Sequence, residues 1–246
     1  MVVGPGRRNG LALALAFALV SGAAACAGQD RGLTEEELAG MIDSILPEIA
    51  EVSGMAVRRP VQYTLQSREE ARSFLQRQLD EEFGEGLGGM ERAYRAFGLI
   101  PDTLDLHRLM LELLTEQVVG YYDPPSERLY VVAGVPASTA EPVVAHELVH
   151  ALQDQHTDLE AIVAPERGND RQVAAQAAAE GQAMLVMLAL QAARTTGAPM
   201  DPGALPDLGP MMRPAVEAEN SRFPVFRSAP RIVRETLLFP YIEGAT

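Results

Sequence analysis

The sequence predicts a predominantly helical α+β fold, with a small sheet or β-hairpin placed just before one long helix. Three observations predict it. Apolar residues recur at helical spacing behind capping-type starts along most of the 246 residues. Two β-branched and aromatic runs, Val118–Tyr122 and Leu129–Val132, flank the turn-rich Asp123-Pro124-Pro125-Ser126-Glu127, which is a hairpin pattern. Hydrophobic content of 47% beside 22% charged residues is enough for one sizeable domain, or a core with a helical N-terminal extension.

The chain opens with residues that address it rather than fold it. Arg7 and Arg8 form a positive start, Leu11–Val20 a short apolar stretch, and Ser21-Gly22-Ala23-Ala24-Ala25 a small-residue cleavage site. Residues 1–25 therefore read as a signal peptide, too short for a comfortable transmembrane helix of about 20 apolar residues. Cys26, the sole cysteine, follows at once. This arrangement resembles a bacterial lipobox, with Ala23 where a larger aliphatic residue is more usual. It implies lipidation at Cys26 and an extracytoplasmic, membrane-anchored protein of the cell envelope. The alternative is an ordinary secretory signal, which leaves an exposed thiol outside the cell, a liability that lipidation removes. One cysteine permits no intrachain disulfide. Residues 26–33 are polar and glycine-containing, as in a tether.

Residues 34–116 read as a mainly helical N-terminal region. Thr34-Glu35-Glu36-Glu37 opens an acidic first turn, suited to the positive end of a helix. Leu38, Met41, Ile42, Ile45 and Leu46 follow at helical spacing until Pro47, which is expected to kink or end the run. Val61–Leu65 alternates as a strand does. Ser67-x-x-Glu70 resembles a capping box and starts a helix through about Glu82, which Gly84, Gly86, Gly88 and Gly89 interrupt. Those glycines follow acidic residues rather than a strand, and no lysine comes after them, so they read as a loop and not a phosphate cradle. Met90–Phe97 makes another helix, and Pro101-Asp102 introduces one over about 103–116. His107, alone near its start, reads as a surface or core residue rather than a ligand.

Residues 117–194 hold the chemistry. After the hairpin, a helix over about 139–156 carries His146-Glu147-Leu148-Val149-His150 between uncharged flanks, with Ser138-x-x-Glu141 upstream in capping-box spacing. At about 100° per residue, two histidines four apart stand roughly 40° from each other, one turn up the same face. Two imidazoles so placed can hold one zinc ion, and Glu147, one step round, can take a proton from water on that zinc without ligating it. After a polar linker over 157–170, Arg171–Ala193 forms a second long helix. Its uncharged stretch Ala183–Leu190 is too short to span a bilayer and reads as core.

The string HELVHALQDQH resembles the zincin metallopeptidases, and within them a bacterial lipoprotein family of the gluzincin type. The resemblance covers Val118 to Glu180 and is specific at the helix of the two histidines. It implies a zincin-like core, with strands of a mixed sheet before that helix and the third ligand, a glutamate, on a later helix. It implies zinc ligation by His146, His150 and Glu180, Glu147 as general base, and a peptide or protein substrate. An extended substrate would pair by backbone hydrogen bonds with an edge strand.

Two residues compete for the third position. His156 lies where the metzincin pattern has its last histidine, but that pattern needs glycine where Gln153 stands. A continuing helix turns His156 about 120° away from His150. Glu180 sits alone in an otherwise uncharged helix, where a buried carboxylate must be paired or bind metal. Small neighbours let that helix approach another closely, and Gly181 costs helix stability without an evident local need. Glu180 is therefore the expected ligand and His156 the alternative. Some gluzincins place an orienting aspartate four residues after this glutamate, where Met184 stands here.

Hydrolysis also needs a donor for the developing oxyanion, and Tyr122, Tyr241 and Arg231 are the candidates. Residues 195–246 are Pro-rich. They read as loop or poor helix to 214, a short helix at 215–220, and then an alternating apolar and basic segment. The resembled family continues past such a segment, which implies an incomplete C-terminal region. The net charge of −14, with arginine as the sole strongly basic residue type, argues against nucleic-acid binding. The expectation is zinc-dependent peptide hydrolysis. The rival is a non-catalytic zinc-binding surface lipoprotein, structural or partner-binding.

Overall fold

The described residues of the computed structural model are 31–82, 88–164, 168–198, 200–205 and 209–245. The signal segment 1–25, Cys26, most of the tether, and Gly84 and Gly86 lie outside them. Thr34 caps α1 (Glu35–Ser53). Its hydroxyl accepts from the Glu37 N–H while the Glu37 carboxylate accepts from the Thr34 N–H, which satisfies two donors at the helix start. Pro47 lies inside α1 and does not end it. Ile45 and Ile49, on either side, are 1% and 0% exposed and hold both halves against the core. The helix closes at Gly54, whose φ of 70° suits glycine.

β1 (Gln62–Gln66) leads to α2 (Arg68–Glu82), which the Ser67–Glu70 capping box starts as expected. α3 spans Gly88–Ala96, so Gly88 and Gly89 belong to its first turn rather than to a loop. α4 (Leu106–Gln117) begins later than expected, because Asp105 accepts from the Arg108 N–H and caps it there. His107 sits part-buried, 2.8 Å from Asp80, away from any metal-ligating cluster among the described residues.

The hairpin forms: β2 (Gly120–Asp123) and β3 (Arg128–Val132) pair antiparallel across a 3₁₀ turn at Pro124–Ser126. β1 joins β3 in parallel register, giving a mixed sheet of order β1-β3-β2. The tyrosines part as strand geometry requires. Tyr121 stacks on Phe74 of α2 at 4.4 Å, and Tyr122 faces α5.

α5 (Ala137–His156) is the centre of the molecule, packed against β2, β3, α1 and α7 (Asn169–Thr196). Every residue from Val143 to Gln153 is buried, which accounts for its lack of a polar face. Ser138-x-x-Glu141 is not a capping box. The helix starts two residues earlier, where the Pro136 carbonyl accepts from the Thr139 and Ala140 N–H groups, and Glu141 pairs with Arg194 instead. A short α6 (Leu159–Ile162), capped by Asp158, follows. α7 as a whole is long and apolar enough to cross a membrane by length and composition, but half of that window is buried in the fold.

The C-terminal region is more helical than its prolines suggest. α8 (Gly209–Asn220) starts well before residue 215, α9 spans Pro224–Ser228, and α10 spans Arg231–Glu243. Pro230 stands just outside α10 and Pro240 in its last turns, so most of the helix keeps its hydrogen bonds. Val233, Leu238, Tyr241 and Ile242 give it a buried stripe, and it lies along α7. One buried cluster runs from Leu33 to Ala245, joining the N-terminal helices to the rest.

Candidate metal centre

The i, i+4 spacing on α5 stacks His146 and His150 with ring centres 4.8 Å apart, nearly perpendicular. α7 crosses α5 so that Glu180 meets both. Glu180 Oε2 lies 2.9 Å from His146 Nε2 and 3.2 Å from His150 Nε2, and the two nitrogens are 3.1 Å apart. These are the three residues that can hold a metal ion among those described, and all are buried. His156 is not among them. α5 continues unbroken through Gln153, and His156 turns outward to bond the Ala56 carbonyl at 2.8 Å.

The donor set fits a cation. A carboxylate oxygen and two imidazole nitrogens, each with a lone pair, converge at 1–2% exposure, and such a group needs positive charge at its centre. Without metal, one proton supplies it. Burial works against a charged His150, but the Glu180 charge and hydrogen bond, with Glu147 nearby, outweigh it and raise His150 to about 9. His146 is held below its ordinary value, chiefly by burial and also by the His150 charge. Burial alone would raise Glu180, and the two histidines bring it down to about 2.

The orientation of His150 is visible in its neighbours. Gln153, 6% exposed, gives its amide N–H groups to the Ala179 carbonyl at 2.9 Å and to Gln182 at 2.8 Å. Its oxygen therefore faces His150 Nδ1, at 2.7 Å. A carbonyl oxygen only accepts, so Nδ1 carries hydrogen and Nε2 is the nitrogen turned to the cluster. Sequence reasoning missed this role and treated Gln153 only as a departure from the metzincin pattern. A buried amide three residues past the second histidine was the available signal.

Glu147 is 0% exposed, and its Oε2 accepts from the backbone N–H of Tyr122 at 2.7 Å. That N–H lies on the side of β2 turned away from β3, so the sheet edge itself holds the carboxylate. The Tyr122 hydroxyl is committed elsewhere, donating to Asp154 at 2.9 Å. Burial, then the Asp154 charge, raises its pKa and keeps it protonated. Arg231 is not at the site. Its side chain is 84% exposed and pairs with Glu235, about 15 Å along α10 from Tyr241 at 1.5 Å per residue. Of the three oxyanion candidates, the fold brings the Tyr241 side chain to the cluster. Its ring lies 6.0 Å from that of His146, and it hydrogen-bonds Glu180. Burial, then the Glu180 and Glu147 charges, raises its pKa far enough to keep the phenol protonated.

Tyr241 arrives there through two glycines. A Cβ on Gly181 would fall 1.7 Å from the Gly244 carbonyl oxygen, and one on Gly244 would fall 2.0 Å from the Ala177 carbonyl. Gly181 is thus required by α10, not by the approach of α7 to α5. Beside the cluster, a cleft lined by Tyr122, His150, Leu159, Val163 and Ala179 reaches Glu180.

Comparison with protein-family models, with curated proteins and with solved structures finds no match for this chain.

Proposed function

We propose that the protein is a zinc-dependent peptidase of the gluzincin type, lipid-anchored through Cys26 outside the cytoplasm. The observation that carries the proposal is the meeting of His146, His150 and Glu180, with Glu147 beside them on the same helix. Tetrahedral zinc with bonds of about 2.0–2.1 Å spaces its ligands about 3.3 Å apart. The separations of 2.9 to 3.2 Å here are close to that. Structural zinc sites are closed by four protein ligands, whereas catalytic ones use three and keep a position open. Three donors among the described residues favour the catalytic reading over a purely structural zinc lipoprotein.

Zinc held by His146, His150 and Glu180 would supply Lewis acidity and lower the pKa of water toward about 7. Glu147, fixed by the Tyr122 N–H, is placed to accept a proton from the attacking water and to deliver it to the leaving amine. Tyr241, kept protonated, turns its O–H from Glu180 to the oxyanion.

Glu147→Gln in the full chain tests the reading, with casein as substrate. Zinc content should equal that of wild type while hydrolysis falls by about 10²–10⁴-fold, and chelation should abolish wild-type activity. An unchanged rate in Glu147→Gln removes the proposed base, and chelator-insensitive hydrolysis removes the metal from the reaction.

A further inference from the structure

We propose that Gln153 is a positioning residue for the metal centre, aiming His150 at the ion and locking its ring to the helix that carries Glu180. The proposal rests on the metal-binding reading above and adds a residue to it. Two separate functions meet in one amide. Its oxygen accepts from His150 Nδ1–H at 2.7 Å, which leaves Nε2 as the sole ring nitrogen able to ligate. Its nitrogen donates to the Ala179 carbonyl, the residue before Glu180, and to Gln182. One side chain thus sets the tautomer of a ligand on α5 and the placement of a ligand on α7.

The chemistry explains why an amide suits this position. Glycine here, as in the metzincin pattern, would let the helix end and bring His156 inward. Gln153 lets α5 run on to His156, so the third ligand comes from α7. An amide also has an acceptor for His150 and donors for α7, whereas a carboxylate has only acceptors when ionised and a thioether has no donor. Met184 occupies the position where some gluzincins have an orienting aspartate, and it is fully buried among apolar neighbours. Gln153 supplies the orienting contact from the opposite helix.

The test compares wild type, Gln153→Met and Gln153→Glu in the full chain, with zinc and cobalt as probes. Metal affinity is read by competition with a chromophoric chelator. Met removes both functions at similar volume, whereas Glu keeps the acceptor for Nδ1–H and loses the donors to α7. Loss of an orienting partner typically weakens metal binding by about 10–100-fold. We expect that full loss in Gln153→Met and a smaller, intermediate loss in Gln153→Glu, which keeps the acceptor for Nδ1–H but not the donors to α7. Nitrogen NMR of the His150 ring in the zinc-loaded protein should show hydrogen on Nδ1 in wild type and Gln153→Glu, with that hydrogen exchanging faster in Gln153→Met. Met binding metal as tightly as wild type overturns the proposal. Equal weakening in Met and Glu also overturns it, because the amide would then serve only to tie α5 to α7. If wild type itself takes up no metal, the reading beneath the proposal fails first, and separately.

Discussion

Replacing Gly181 by alanine should destabilise the protein, although alanine is the better helix former. On propensity alone the change favours α7 by about 1 kcal/mol. The added Cβ, however, would lie 1.7 Å from the Gly244 carbonyl oxygen and 2.0 Å from its carbon. Ordinary contact with these atoms begins near 3.4 Å, so the C-terminal end of α10 must retreat by roughly 1.7 Å. The obstacle is backbone, not the flexible end of a side chain, which puts the penalty near the top of the about 1–3 kcal/mol range for overpacking. A net loss of about 2 kcal/mol lowers the melting temperature by about 4–8 °C in a chain of this size. Gly40 is the control, because a Cβ there meets nothing within 4 Å. Gly40→Ala should therefore raise stability by up to about 1 kcal/mol. Calorimetry of both variants decides the matter. If Gly181→Ala gains stability as Gly40→Ala does, the account of α10 seating on α7 is wrong.

Three further outcomes follow from the same geometry. Tyr241→Phe, assayed at saturating zinc, should lower kcat for peptide hydrolysis by about 10²-fold, and equal kcat would take the hydroxyl out of the reaction. In metal-free protein, His150 is raised to about 9, so its contribution to stability is present below about 6.5 and lost as pH rises through 9. His146 is lowered, which costs stability as pH falls below 6.5, and Glu180, lowered to about 2, loses its contribution from about 4.5 downward. The cluster's contribution therefore peaks near pH 6.5. Melting temperatures of the metal-free chain from pH 5 to 9 check this, and a profile still rising at pH 9 contradicts it. Metal uptake near pH 7.5 should release about one proton, the one on His150. Calorimetric titration in buffers of different ionisation heat measures it, and zero release refutes it.

The centre of the site was legible because helix geometry makes it local. His146 and His150 are neighbours on any helix, and Glu180 was conspicuous as a lone charge in an uncharged run. The remainder depends on contacts between distant segments. Tyr241 reaches the cluster only because Gly181 and Gly244 let two backbones touch, and no local pattern joins those positions. Gly181 itself was noticed for a cost that α10, not the metal, explains. Prolines misled in two places: Pro47 lies within α1 under strong packing, and Pro240 sits in the final turns of α10. At α5 the capping spacing of Ser138 misled, because the helix starts after Pro136. Tyr122 was chosen for its hydroxyl, whereas its backbone N–H is what holds Glu147.

The most direct measurement is bound metal per chain in wild type, His146→Ala, His150→Ala, Glu180→Ala and His156→Ala, purified in parallel. The account predicts about one zinc in wild type and in His156→Ala, and none in the other three. Zinc retained in Glu180→Ala, or lost from His156→Ala, would contradict it.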